Sequence, residues 1–498
     1  MKNAQGLTGR NIFLVLAFSI LAFAVMGYHP GIEDDGHYLS AVKYNVNPAL
    51  YPYDSEFFRV ELQATVFDKW MGGFVRLTGI PVATSELFWQ FASILLIVFS
   101  CWSIARRLFP EEPAQWAGVA MVSAMFTLPV AGTALFLVDQ HLHPRNMATA
   151  LILLAVSRIL AGKCWQAAPL LILAFLFHPI MGAMGVSFCF FLIMAMLDPV
   201  PAWLRFWRAP SRGAAAALFL PLGWIFEPPT PLWRKALDSR TYYFLYKWEW
   251  YEWLGAIAPL VLFWLLWRIA RKHGQTVLAR FALAVFAYGV FQQAVAMIML
   301  APPSLIRLTP LQPMRYLQLI YFFLTLIAGC LAGRFLLKAS VWRWALFLLI
   351  VNGSMFGAQR AEFSGSEHIE LPGRASANPW LQAFAWVRDN TPTSAYFVLD
   401  PLYLRTDGED YHNFRALAER SQLADAIKDT AVVTQVPELG PVWERQVEAQ
   451  KNWPNFQLQD FERLKAEFGV NWALVSYPQP AGLNCHWHNA TLAVCQIP

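Results

Sequence analysis

Long apolar runs separated by short polar connections occupy most of the chain up to residue 357 and predict a bundle of transmembrane helices. A helix needs roughly 17–25 mostly apolar residues to cross a bilayer, and about eleven stretches approach that length. The predicted spans are 11–27, 86–105, 115–137, 145–161, 166–178, 180–197, 213–226, 254–270, 278–300, 316–337 and 341–357. The run at 166–178 is short and is followed by Pro179, so it also fits half of a broken or re-entrant helix.

The first apolar run allows two interpretations. Lys2 and Arg10 precede it, and Ala22-Phe-Ala24 resembles a signal-peptide cleavage site. Because many further apolar runs follow, an uncleaved first transmembrane helix is the favoured interpretation.

The pattern changes after residue 357, where long apolar runs end and mixed helix and strand signals begin. Pro379 to Asp389 has helical periodicity and is followed by Asn390-Thr-Pro392, and Phe461 to Phe468 also reads as a helix. Ala395 to Leu399 and Trp472 to Ser476 are typical of strands. We therefore predict an α-helical polytopic membrane protein with a C-terminal soluble α/β domain.

Composition supports this division. Hydrophobic residues make up 57% of the chain and charged residues only 14%, whereas a soluble protein carries about 25% charged residues. A wholly soluble enzyme and a disordered chain are excluded on this ground. Residues 1–357 carry 27 Lys and Arg against 16 Asp and Glu, whereas residues 358–498 carry 11 against 17. The predicted domains are a transmembrane domain at 1–357, with a long first outer loop at 28–85, and a mildly acidic soluble domain at 358–498.

Basic residues in the short loops predict the orientation. With the N-terminus in the cytoplasm, every predicted inner loop is basic. These residues are Arg106, Arg107, Arg158, Lys163, Arg205, Arg208, Arg212, Arg268, Arg271, Lys272, Arg334, Lys338 and Arg343. The loops 28–85 and 227–253 and the C-terminal domain then lie outside, which fits a multi-pass protein of a bacterial inner (plasma) membrane with a periplasmic C-terminal domain.

Three consecutive carboxylates, Glu33-Asp34-Asp35, follow the first predicted span and are the candidate catalytic residues. Their mutual repulsion beside a low-dielectric membrane requires something cationic or a bound proton to offset it. The motif fits a general base, a divalent cation such as Mg²⁺ or Mn²⁺ held by Asp34 and Asp35, or an acidic helix N-cap in a solvated loop. His37, two residues on, is a candidate substrate-binding residue.

Outward-facing basic residues form the second candidate group. Pro144 is suited to begin a helix, which would place Arg145 at a helix N-terminus where a phosphate binds well; His143 adjoins it. The remaining candidates lie in two later loops and are Arg234, Lys235, Arg240, Arg307 and Arg315. They fit a clamp for an anionic lipid headgroup or diphosphate, or ordinary pairing with nearby Glu227, Asp238, Glu249 and Glu252.

Cys485 and Cys495 are the two cysteines of the tail, and in an oxidising compartment they would form a disulfide. A metal site with His486 and His488 is the alternative, but the spacing matches no standard zinc motif.

The overall layout resembles the GT-C superfamily of polytopic glycosyltransferases. The resemblance rests on a first span, the Glu33-Asp34-Asp35 motif in a long first outer loop, many further spans and an outer C-terminal domain. The segments His143-Pro-Arg145, Phe177-His178-Pro179, Trp386-Val-Arg-Asp-Asn-Thr-Pro392 and Phe414-Arg-Ala-Leu-Ala-Glu-Arg420 resemble a largely uncharacterised bacterial branch of such proteins.

The resemblance implies a polyprenyl-phosphate-linked sugar as donor and a glycan, lipid or protein as acceptor, with membrane lipids around the chain and no nucleic acid. It also implies that an acidic residue of the first outer loop, here Asp34 or Asp35, acts as the base or binds a metal. A transporter or flippase of lipid-linked sugars is one alternative. A non-catalytic scaffold is another, and it predicts that the acidic motif faces bulk solvent rather than a cavity.

Overall fold

A computed structural model describes residues 8–197 and 223–498. Most of the predicted span 213–226 and the basic loop with Arg205, Arg208 and Arg212 lie outside these described residues. Gly223–Phe226, the end of that predicted span, form a short 3-10 helix.

Within the described residues, seven helices are long and apolar enough to cross a membrane. They are Gly9–Met26, Val82–Leu108, Pro179–Met196, Trp250–Lys272, Thr276–Leu300, Pro313–Leu337 and Val341–Glu362. Many of their outward side chains are large and apolar, as in a membrane-embedded helical protein.

The predicted number of about eleven spans is not confirmed. The predicted span 115–137 divides into the helix Glu112–Ala124 and a small antiparallel hairpin of strands β1 (Pro129–Val130) and β2 (Leu135–Phe136). Pro144–Leu160 is helical and 17 residues long, and it is not among the seven. The helix Ala167–Phe177 has 11 residues and ends before Pro179, which lacks the N–H needed to continue a helix.

Close helix packing brings the short helices into the bundle. A Cβ atom added at Gly118 of Glu112–Ala124 would lie 2.4 Å from Cys330 Sγ on Pro313–Leu337. Such small residues let two helix backbones approach closely within a membrane. Pro144–Leu160 is buried along most of its length, which fixes His143 and Arg145 at its N-terminal end.

The first loop segment, residues 27–81 between the first two membrane helices, folds into three helices, Asp35–Val46, Glu56–Ala64 and Phe67–Thr78, with a 3-10 turn at Pro48–Leu50. The chain between the membrane helices Pro179–Met196 and Trp250–Lys272 contains the helix Pro231–Asp238 among its described residues.

The C-terminal part is built around a five-stranded sheet. Its strands are β3 (Tyr396–Val398), β4 (Ser421–Gln422), β5 (Trp472–Ser476), β6 (Asn484–His488) and β7 (Leu492–Gln496), in the order β4-β3-β5-β7-β6. β3 runs parallel to β4 and β5, whereas β7 is antiparallel to β5 and β6. The helices of this part are Pro379–Asn390, Phe414–Ala418, Lys428–Gln435, Gly440–Ala449 and Leu458–Phe468.

Alternating side chains of this sheet enter two different cores. Phe397, Leu474 and Val494 pack toward Pro379–Asn390, whereas Ala473 and Cys495 lie on the opposite face with Leu458–Phe468. The helices and strands predicted near 379–389, 395–399, 461–468 and 472–476 are confirmed. Cys485 and Cys495 form a disulfide between the neighbouring strands β6 and β7.

The first loop segment packs directly on the C-terminal part. The Tyr51 hydroxyl donates to the Arg415 carbonyl at 2.9 Å, and the Lys43 ammonium donates to the Ala416 carbonyl at 2.7 Å. The Ser421 hydroxyl donates to the Tyr53 carbonyl at 2.9 Å. These contacts require both segments to lie on the same side of the membrane.

Candidate functional site

A tight turn between the first membrane helix and Asp35–Val46 presents the acidic motif. Gly31 has a φ of +79°, and a Cβ atom there would lie 2.8 Å from Leu417 Cδ2, so this position requires glycine. Glu33 also has a positive φ, of 50°. The turn is closed by the Gly31 backbone N–H, which donates to Asp35 Oδ2 at 2.6 Å.

The turn gives the two neighbouring aspartates different environments. Asp35 is 1% exposed, and burial raises the pKa of its carboxyl group. The Asp34 side chain stays 45% exposed and lines two cavities. The geometry therefore separates Asp34, which a ligand can reach, from Asp35, which closes the turn.

Lys428 is the cationic partner of the motif. Its side chain is 8% exposed, and its ammonium contacts the Glu33 carboxylate and lies 3.1 Å from Asp34 Oδ1. Lys428 lowers the pKa of Asp34 well below its usual value, more than burial raises it. Burial works against the ammonium, but Asp34 and Glu33 raise the pKa of Lys428 above its ordinary value. At neutral pH the motif therefore holds an ionised Asp34 beside a charged lysine.

This donor set does not fit a divalent cation. Mg²⁺ and Ca²⁺ are bound by six or more oxygen ligands, whereas here an ammonium lies against the two reachable carboxylates. Among the described residues, no group of three or more His, Cys, Asp and Glu side chains is arranged to hold a metal ion.

The first cavity, which we call the basic cavity, has a volume of about 530 Å³. Besides Asp34, its lining includes the basic and aromatic side chains His37, His143, His178, Arg307, Arg315, Trp233, Tyr242 and Tyr243. Its volume lies within the roughly 300–1,000 Å³ of typical small-molecule sites.

Arg315 brings a positive charge to the lining of the basic cavity. Its Nε is buried without a hydrogen-bond partner among the described residues. Arg307 also lines the cavity but is held by the Glu227 carbonyl, which accepts from its Nε at 2.9 Å. An anion placed in the cavity would balance the charge of Arg315.

The two histidines beside Arg315 are arranged as neutral rings. His143 Nδ1 accepts from the Arg145 backbone N–H at 2.9 Å, and His178 Nδ1 accepts from the Met181 N–H at 3.3 Å. Burial, and then Arg145, lower the pKa of His143 well below its ordinary value. Each imidazole can then donate only through Nε2.

The second cavity, which we call the wide cavity, has a volume of about 870 Å³ and is also lined by Asp34. Gly255, near the start of Trp250–Lys272, and Met355 on Val341–Glu362 help to line it, so it lies between two membrane helices. Arg145 also lines this cavity. Its Nη2 donates to Asp139 at 2.6 Å, and its buried Nη1 has no hydrogen-bond partner among the described residues.

His37 connects the motif to a buried ion pair. Its Nε2 lies 3.5 Å from Asp429 Oδ1, and Asp429 accepts from Arg415 at 2.7 and 2.8 Å. Burial alone would raise the pKa of Asp429, but Arg415 and His37 more than offset this and lower it.

Three of the basic candidates do not reach either cavity. Arg234 pairs with Asp238 at 2.9 Å, and Lys235 pairs with Glu444 at 3.1 Å, both on the surface. Arg240 donates to the Ile427 carbonyl instead. Arg234 therefore has the local pairing that the sequence analysis offered as an alternative to ligand binding.

Lys428 and Asp429 were missed by the sequence analysis, as were Tyr242 and Tyr243 as cavity-lining side chains. The need for a cation near Glu33-Asp34-Asp35 was recognisable from charge repulsion, but nothing in the sequence indicated which lysine or arginine supplies it.

No family model matches the chain, and no curated protein matches it either.

Proposed function

We propose that the protein is a membrane glycosyltransferase of the GT-C type, which moves a sugar from a polyprenyl-phosphate donor to an acceptor on the outer face of a bacterial inner membrane. The observation that carries this proposal is that the half-exposed carboxylate of Asp34 lines both the basic cavity, which Arg307 and Arg315 also line, and a second cavity between two membrane helices. A scaffold without activity would not need a carboxylate at that junction.

The donor is assigned to the basic cavity. Its phosphate accepts hydrogen bonds from Arg315 and from the Nε2 atoms of His143 and His178. The sugar extends toward Asp34, along Tyr242 and Tyr243, whose ring faces suit the apolar face of a hexose. Both tyrosines line the cavity, which supports a sugar-binding role for them.

The acceptor is assigned to the wide cavity, where its hydroxyl accepts a hydrogen bond from Arg145 and donates one to Asp34. Its oxygen then attacks the anomeric carbon while its proton passes to the Asp34 carboxylate. The bond between the anomeric carbon and the phosphate oxygen breaks, and its electron pair leaves with polyprenyl phosphate. Arg315 stabilises the charge that develops on that phosphate.

A low pKa makes Asp34 a weak base before the reaction. The acceptor hydroxyl becomes acidic only as its oxygen bonds to carbon, so an ionised carboxylate at hydrogen-bond distance takes the proton late in the step. Ionisation across the neutral range keeps the accepting form fully populated.

The test is release of polyprenyl phosphate by the purified protein in nanodiscs. The donors are a panel of short-chain polyprenyl-phosphate hexoses, the acceptor is a bacterial envelope extract, and mass spectrometry detects the product. We expect Asp34→Asn to lower the rate about 10²–10⁴-fold, the range for removing a general base. Asp238→Asn, which removes a surface carboxylate of the same face, is the matched control.

Three results would overturn parts of the proposal. Full activity in Asp34→Asn removes the catalytic role of that residue. A wild type that releases no product but moves a fluorescent lipid-linked sugar across liposomes supports a flippase. A wild type that does neither supports a scaffold.

A further inference from the structure

Lys428 comes from the C-terminal part of the chain but completes the acidic motif of the first loop segment. It is the first residue of Lys428–Gln435, and its ammonium lies between Glu33 and Asp34. Its partners keep 43% and 45% of their side chains exposed, whereas Lys428 is almost fully buried. The lysine therefore approaches from the protein interior, and the carboxylates face the cavities.

A rigid support holds the lysine in this position. Asp425 Oδ1 accepts from the backbone N–H groups of Ile427 and Lys428 at 2.7 and 2.5 Å. On the other side, Asp429 is fixed by its two hydrogen bonds with Arg415, whose side chain is 1% exposed. The backbone at residue 428 is thus anchored from both neighbours, and the ammonium needs no reordering to meet Asp34.

The Lys428 ammonium occupies the position in which two adjacent carboxylates would hold a divalent cation. A lysine brings one positive charge and three N–H donors, which offset the repulsion between Glu33 and Asp34 without further ligands. It also occupies one Asp34 oxygen and leaves the rest of that side chain facing the cavities.

We propose that Lys428 is a positioning residue that stands in for a divalent cation between Glu33 and Asp34, so that the C-terminal part supplies a component of the transfer site. This inference rests on the proposed function for its catalytic meaning. The exclusion of a metal from the carboxylate pair does not depend on which reaction the protein carries out.

Metal binding tests the proposal without any substrate. The probe is Mn²⁺, titrated into the purified protein at pH 7 and followed by electron paramagnetic resonance of the free ion. We expect no site at the carboxylate pair in wild type and in Lys428→Arg, and one additional site in Lys428→Met. That site should disappear again in Lys428→Met combined with Asp34→Asn.

Lys451→Met is the matched control, because Lys451 pairs with Glu448 on the surface and its side chain is 75% exposed. It should bind Mn²⁺ as the wild type does. A wild-type site that is lost in Asp34→Asn overturns the proposal, and so does a folded Lys428→Met protein that gains no site. If Lys428→Met does not fold, Lys428→Gln takes its place.

Transfer assays then separate positioning from a merely structural role. Without the ammonium, Asp34 binds a proton at higher pH, so the acidic limb of kcat/KM should move to higher pH in Lys428→Met. At neutral pH the rate should fall at least tenfold, Lys428→Arg should recover most of it, and Mn²⁺ should partly restore Lys428→Met. An unchanged rate and pH profile with an active wild type overturns the proposal and leaves the proposed function standing. An inactive wild type contradicts the proposed function, and the Mn²⁺ titration still decides the role of Lys428.

Discussion

Two ionic clusters connect the start of the first loop segment to the C-terminal part, and they differ in their access to a cavity. The first, which we call the acidic cluster, consists of Glu33 and Asp34 with Lys428. The second, which we call the clasp, consists of Glu370 with His29 and His412. In the clasp, His29 Nδ1 lies 2.7 Å from Glu370 Oε1, and His412 Nε2 lies 3.0 Å from both carboxylate oxygens.

The clasp is closed to solvent. Its histidine side chains are 0% exposed and Glu370 is 9% exposed, whereas Glu33 and Asp34 remain nearly half exposed. The same kind of ion pair therefore serves two purposes. The buried Glu370 carboxylate makes its hydrogen bonds to the two histidines and so holds the two segments together. The Glu33 and Asp34 carboxylates face a cavity, so part of their hydrogen-bonding capacity remains for a ligand.

Removing the charge of the clasp should have the largest effect on stability. Glu370→Gln leaves His412 without its ionic partner in a buried position, and breaking such a pair costs about 3–5 kcal/mol. We expect the melting temperature in detergent to fall by several degrees, while the transfer rate of the folded fraction is unchanged. Glu444→Gln, which breaks a surface pair with Lys235, is the control. A Glu370→Gln variant that melts as wild type does would show that the clasp is not structural.

The clasp should also make stability depend on pH. Burial lowers the pKa of His412, but Glu370 outweighs it and raises the value from 6.5 to about 9. The charged imidazole therefore stabilises the fold fully below pH 6.5, and this contribution is lost as the pH rises through about 9. Melting temperatures between pH 6 and 10 should show this loss in wild type. The same scan of Glu370→Gln should be flatter, and equal slopes in the two proteins would contradict the assignment.

Substitution of Arg315 tests the basic cavity, and we expect a smaller free-energy effect there than in the clasp. Arg315→Ala removes a charged donor from the basic cavity, which costs about 1.5–3 kcal/mol of ligand binding, or roughly ten- to a hundredfold in kcat/KM. Arg234→Ala is the matched control, because Arg234 is paired with Asp238 at the surface. Equal kcat/KM values for the two variants in the polyprenyl phosphate assay would remove Arg315 from the donor site.

The sequence predicted those structural features that depend only on the residue pattern within one segment. Apolar runs predicted helices such as Trp250–Lys272, and the strand at Trp472–Ser476 was predicted with its observed bounds. The acidic motif was recognised because three adjacent carboxylates are costly wherever the chain places them. The count of spans was not confirmed, because the predicted span 115–137 contains a β-hairpin and because the short helices Pro144–Leu160 and Ala167–Phe177 are not among the seven candidate spans.

The sequence alone determined a helical membrane protein with an α/β tail and an acidic motif that needs a cation nearby. Only the tertiary structure decided that Asp34 faces the cavities while Asp35 closes a turn, and that Lys428, 394 residues further on, is the cation. Hydrophobic periodicity is a local property, so it can be read along the chain. The partner of a charge depends on which distant segments pack together, and no local pattern encodes that choice.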